Sequence, residues 1–165
     1  MENDHDTHGA AATAMPMKMA KSPYLMFAAN LIGSGIVMYF VMYTMIDSTA
    51  ELYNNLNNVY MTLMMVTSMA LFMLWMMPAM FPDRRTNLIL NLAFAATFLL
   101  ALFAMRTQAL VGNDQFLRAM IPHHSGAILM CEKSSITDPA IKRLCGGILA
   151  SQKAEIAQMK ALLER

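Results

Sequence analysis

The stretch Val59–Phe81 reads VYMTLMMVTSMALFMLWMMPAMF and holds no Asp, Glu, Lys or Arg. As a helix rising about 1.5 Å per residue it reaches roughly 35 Å, against a hydrocarbon core of about 30 Å. It reads as a membrane span. Two further uncharged stretches flank it, Tyr24 to Ile46 and Leu88 to Met105. The first is as long, and the second, at roughly 27 Å, nearly spans. Composition agrees: 57% of the 165 residues are hydrophobic and 14% charged, whereas soluble domains carry about 25% charged residues.

The N-terminus does not read as a cleaved signal peptide, because residues 1–22 form a polar, acidic, His-bearing tail and the apolar stretch behind is too long. Ser22-Pro23 is a good helix start, with an acceptor at the cap and a pre-set φ at the first position. Basic residues set the expected orientation. Lys18 and Lys21 precede the first span and Arg84 and Arg85 lie between the second and third, while Asp47 to Asn58 has none. The tail and the Arg84 loop are expected on the cytoplasmic side and everything after the third span outside, which in a bacterium is the periplasmic face of the inner membrane. A net charge of +1 without a basic patch gives no support for nucleic-acid binding.

Past Gly112 the pattern turns amphipathic. Asn113 or Asp114 can cap a helix whose stripe runs through Leu117, Met120, His124, Ala127 or Ile128 and Cys131. Pro122 removes a backbone donor and predicts a kink. Ser134 to Thr137 reads as a turn and Asp138-Pro139 as the start of a second helix. Its stripe is Ile141, Leu144, Cys145, Ile148, Gln152, Ile156, Met159 and Leu163. Folded about residue 136, Gln152 comes near the level of Met120 to His123. The expected architecture is all-α: a tail (1–22), three transmembrane helices (23–111) and a helical hairpin (112–165). Two helices cannot enclose a core, so a partner surface is required. A homodimer closing a four-helix bundle is the economical solution, and docking on an extension of the third span is the alternative. Gly146 and Gly147 predict a close helix approach.

The hairpin carries motifs that are recognisable in order and spacing: Asp114-Gln-Phe116, Met120-Ile-Pro-His123-His124, Ala127-Ile-Leu-Met130 and Gln152-Lys-Ala-Glu155-Ile-Ala-Gln-Met159. Together they resemble the domain of unknown function family 305 over roughly the last 52 residues. The resemblance implies a ferritin-like helical bundle, usually exported, with members linked to copper binding through Met and His. The matching positions are Met120, His123, His124, Met130, Gln152, Glu155 and Met159. This chain differs from longer members in having one hairpin where they have two, and in its spans.

The chemistry of the donors points the same way. Thioether and imidazole suit Cu(I), and by the same softness Ag(I), whereas Mg, Ca or Mn would need carboxylates. Adjacent helical residues point about 100° apart, so His123 and His124 are not expected to share one ion within a chain. His123 with Met120 and Met130, or His124 with Met120, are the sterically sensible sets. The competing reading is two hydrogen-bonded core histidines beside ordinary core methionines. Cys131 and Cys145 leave three readings open: an interhelix disulfide, buried thiols, or thiolates binding Cu(I) or completing a Cys2His2 zinc site.

The chain holds 20 methionines. Met61, Met65, Met69 and Met73 recur every fourth residue, joined by Met64, Met76, Met77 and Met80, and Met38, Met42 and Met45 share a face of the first span. They read first as flexible packing residues, with a sulfur-lined relay as the sharper alternative. Met15, Met17 and Met19 with His5 and His8 suggest a weak second copper site in the tail. No zincin motif, phosphate loop, nucleophile elbow or core Glu-x-x-His is present, so no enzymatic activity is expected. The expected function is a membrane-anchored, dimeric copper(I)-binding protein for storage, buffering, delivery or resistance. The alternatives are a structural or oligomerisation module without metal, and a metal carrier.

Overall fold

The computed structural model describes residues 23–165, and among these every regular element is helical. Helix α1 spans Pro23–Val41 and continues as a 3-10 turn, Met42–Met45; α2 spans Leu56–Met76, α3 Arg84–Thr107, α4 Asn113–Lys133 and α5 Pro139–Leu163. A short 3-10 turn, Thr49–Glu51, lies in the connector between α1 and α2. Ser22 and the tail methionines and histidines lie outside the described residues.

Caps explain the boundaries. Asn55 accepts a hydrogen bond from the Asn58 N–H (2.9 Å), starting α2 three residues before the uncharged stretch. Pro78 cannot continue a helix, and α2 ends at Met76, short of the expected Phe81. Asp83 caps α3 through the Arg85 N–H (3.0 Å), so Arg84 and Arg85 join its first turn. With 24 residues α3 reaches about 36 Å, enough to span, where the uncharged stretch alone fell short. All three helices are long and apolar enough to cross a membrane.

Helix α2 packs along both α1 and α3. Phe27, Leu31, Ala70, Leu74 and Phe81 form the buried centre. Tyr24 ties α1 to the start of α3 by donating to Asn87 Oδ1 (3.0 Å) and accepting from the Asp83 N–H (3.2 Å). Phe72, Trp75 and Leu100 point outward, 65 to 68% exposed, as residues facing lipid would.

The hairpin stands at the end of the bundle where α1 ends and α2 begins. Ile121, Ile128, Ile156 and Met159 form its core, with Tyr53 of the connector packed against them. Helix α4 has a second buried face, Ser125 and Gly126, which the sequence stripe did not contain. Ser125 Oγ, fully buried, accepts from the Asp47 N–H at 2.7 Å. A Cβ on Gly126 would lie 3.3 Å from the Met45 carbonyl oxygen. Gln115 Oε1 accepts from the Leu56 N–H (3.0 Å), and Lys160 reaches Glu51 (3.5 Å). The third surface the hairpin needs is thus supplied in part by its own chain, through residues 45–56. The alternative, an extension of α3, does not fill that place: α3 ends at Thr107.

Two local expectations are corrected. Gly112, and not Asn113 or Asp114, is the N-cap of α4, and it offers no side-chain acceptor. The close approach falls at Gly126, while Cβ atoms on Gly146 and Gly147 would meet nothing within 4 Å. Pro122 lies inside α4, which continues past it.

Ser125→Ala leaves the Asp47 N–H without its acceptor, a loss of about 1–3 kcal/mol, and Gly126→Val drives a branched side chain into the Met45 backbone. Both should speed amide hydrogen exchange at Asp47 and cleavage of the connector by added protease, Gly126→Val more strongly. Unchanged exchange at Asp47 in both variants would contradict this docking.

Candidate metal centre

Helices α4 and α5 run antiparallel, joined by residues 134–138. Asp138 accepts from the Ala140 and Ile141 N–H groups (2.7 and 3.1 Å), and Pro139 needs no acceptor at the first position. Near this bend Cys131 and Cys145 form a disulfide, their Cα atoms 5.5 Å apart. The bond decides between the three readings of the cysteines. With both sulfurs oxidised, neither a Cys2His2 zinc site nor thiolate ligation of Cu(I) is available to them.

Farther from the bend, His124 Nδ1 lies 3.0 Å from Glu155 Oε2. The carboxylate sits off the line of a ring N–H, so Nδ1 is buried without a hydrogen bond. The contact is therefore close in distance but not an aligned hydrogen bond. His124 is 12% exposed at its side chain and Glu155 45%. Glu155 Oε1 is held separately by the Ser151 hydroxyl at 2.6 Å. One turn away from the bend on each helix come Met120 and Met159, which belong to the same apolar cluster, Met159 buried and Met120 packed against it. Met120, His124, Glu155 and Met159 therefore form two i, i+4 pairs facing each other across the hairpin.

The remaining candidates are placed otherwise. His123 is exposed, and its ring stands 6.0 Å from that of His124 at a 61° angle. Met130 is 52% exposed and points away from α5's core residues. Gln152 lies a turn nearer the bend than Glu155, beside Ser151 in a shallow groove with Arg143, Leu144 and Gly147. The expected level of Gln152 with Met120 to His123 does not hold, because the paired residues His124 and Glu155 set a register displaced toward the C-terminus. Among the described residues, no three His, Cys, Asp or Glu side chains gather. Sequence reasoning overlooked Ser125 and Gly126; two small residues in succession beside the apolar stripe were the available signal.

Glu132 and Lys153 pair across the hairpin at 2.8 Å. The hydrogen bond from Lys153 holds the Glu132 carboxyl below its ordinary pKa, and the same bond raises that of Lys153. The pair's support is present above the ordinary carboxylate pKa and fades as pH falls through the lowered value. At the basic end it fades as pH rises through the raised lysine value.

Residues 99–163 match the family described as Domain of unknown function (DUF305), a match that reaches back into α3. The chain is also similar to "Uncharacterized protein L153" of Acanthamoeba polyphaga mimivirus, 34% identical over 120 residues, which is 72% of this chain and 77% of that one. An aligned stretch of 120 residues is too long for the DUF305 match alone, so the likeness extends into the preceding spans. The protein belongs to the DUF305 family. No solved structure matches it.

Two measurements check these contacts. Alkylation without reductant should label neither cysteine, and Cys131→Ser with Cys145→Ser should cost about 3 kcal/mol of hairpin stability, the value for a loop of this length. In Lys153→Met, Glu132 should titrate higher, toward its ordinary value of 4.5; an unmoved titration by NMR would mean that the ion pair does not form.

Proposed function

We propose that the protein is a membrane-anchored binding protein for a soft monovalent ion, Cu(I) or by the same chemistry Ag(I), acting in copper storage, buffering, delivery or resistance. The observation that carries this reading is the facing pair of Met120 with His124 and Glu155 with Met159. Two thioethers and an imidazole suit a soft ion. Glu155 Oε2, 3.0 Å from His124 Nδ1, is close enough to orient the ring once the two align as a hydrogen bond, a division of labour that leaves the other ring nitrogen for the metal. Glu155 then acts as the orienting group, and Met120, His124 and Met159 as ligands.

His123 and Met130 face outward and need a second copy to take part. Phe116, Met130, Ile141 and Leu144 are each about half exposed or more. Covering that face with the same face of another hairpin makes a homodimeric, ferritin-like four-helix bundle and brings His123 and Met130 into it. The basic residues at Arg84 and Arg85 support a hairpin on the extracytoplasmic side, the periplasm in a bacterium, and the disulfide suits such a compartment. In this reading the protein is a binder and not a catalyst.

Anaerobic Cu(I) titration of the full chain in detergent against a competing chelator tests the proposal. Met120→Ala, His124→Ala and Met159→Ala, combined, should weaken hairpin binding at least a hundredfold, while Glu155→Gln should weaken it about ten- to a hundredfold. Equal binding by the triple variant and the parent would leave the hairpin a structural module without metal.

A further inference from the structure

At the opposite end of the bundle from the hairpin, a cavity of about 340 Å³ opens beside Met26, Met73, Met77 and Met80, with Phe81 and Asn30 also lining it. The four thioethers come from three parts of the chain, and backbone geometry explains why they meet. Met73 and Met77 are four residues apart on one face of α2, and the Met77 N–H donates to the Met73 carbonyl at 3.1 Å. Because Pro78 stops the helix, the chain turns at once, and the Met80 N–H donates to the Met77 carbonyl at 3.0 Å. Three methionines thereby line one cavity. Helix α1 brings Met26 to the same cavity, held there by Phe27 packing on Phe81 with ring centres 5.1 Å apart.

We propose that Met26, Met73, Met77 and Met80 form a thioether binding site for a soft monovalent d10 ion, Cu(I) or Ag(I), separate from the hairpin. Methionine most often serves to fill gaps between helices. Here the four residues line a cavity, and Met26, Met77 and Met80 are 62, 40 and 45% exposed. Leucine would serve a merely apolar lining as well. Among the described residues the lining contains no carboxylate, imidazole or thiol, so its donors suit a soft ion better than hard cations, Zn(II) or Cu(II), which favour charged or nitrogen donors. Thioethers need no deprotonation to bind, which distinguishes this site from one that includes histidine. The buried Phe81, 2% exposed, closes the floor. Asn30, whose side-chain oxygen accepts from the Ser34 hydroxyl at 3.2 Å, marks the polar rim. The proposal stands on these residues alone and does not require the hairpin to bind metal.

The test uses full-length protein in detergent with Met120→Ala, His123→Ala, His124→Ala and Met159→Ala in place, so that the hairpin contributes nothing. Anaerobic Cu(I) titration against a chromogenic chelator should still find one bound equivalent, with affinity unchanged between pH 6 and pH 8. X-ray absorption of that protein loaded with Cu(I) or Ag(I) should show a shell of sulfur only. Adding Met26→Leu, Met73→Leu, Met77→Leu and Met80→Leu, swaps of nearly equal volume, should abolish the equivalent. If that variant does not fold, Met77→Leu with Met80→Leu, both at exposed positions, should weaken binding at least tenfold. A nitrogen or oxygen shell, no retained equivalent, or full affinity in the leucine variants would each overturn the site.

Discussion

The contact between the Gly126 backbone of α4 and the Met45 carbonyl at the end of the first span is what the rest of the structure hangs on. A two-helix hairpin cannot bury its own apolar stripe, and this chain answers by pressing α4 against the connector between α1 and α2. A Cβ at residue 126 would crowd that oxygen at 3.3 Å, and the adjacent Ser125 turns the close approach into a satisfied hydrogen bond with the Asp47 N–H. Tyr53 then covers the Ile121–Ile156 core from the connector side. The consequence is mechanical coupling: the end of the first span, the start of the second and the hairpin form one body, further pinned where Tyr60 donates to the Ala109 carbonyl at 2.6 Å.

That docking decides which residues can be a site. With one face of α4 against the connector and another against α5, only the strip between Met120 and His124 meets α5 at a depth where donors are both sheltered and reachable. The disulfide near the bend, the Glu132–Lys153 pair beside it and the His124–Glu155 contact beyond fix the register of the two helices at three heights. Glu132 and Lys153, being exposed, contribute alignment more than free energy. The apolar cluster around Ile156 supplies most of the hairpin's cohesion.

The helical class, the three spans and the two-helix tail end were legible because apolar length and helical period are direct consequences of burial. Asp138-Pro139 was legible because a cap and its following proline sit together in the chain. Less visible were features that depend on a surface from elsewhere: the burial of Ser125 and Gly126 requires knowing that residues 45–47 arrive there, and no local pattern says so. The sequence stripe through Met120, His124 and Cys131 was sound for the face toward α5, but a helix with neighbours on two sides has a wider buried arc than a single stripe describes. His123 and Met130 looked equivalent to His124 and Met120 by spacing. They differ because the residue before a half-buried one is rotated by about 100° about the helix axis, which on α4 is away from Ser125 and its contact with the connector.

The two kinds of sulfur in this chain are used in ways that chemistry keeps apart. Cysteine, when oxidised in a disulfide, is withdrawn from metal binding, and Cys131–Cys145 serves the hairpin's geometry. Methionine keeps its lone pairs at any pH and cannot form a disulfide, so a soft ion in an oxidising compartment is better held by thioethers than by thiolates. On the proposed reading, the hairpin adds an imidazole to two thioethers, and an imidazole ligand, unlike a thioether, binds a metal only in its neutral form. The cavity at the other end of the spans has thioethers only and is free of that dependence. One side of the bundle then responds to acidity and the other does not, a difference that follows from donor type.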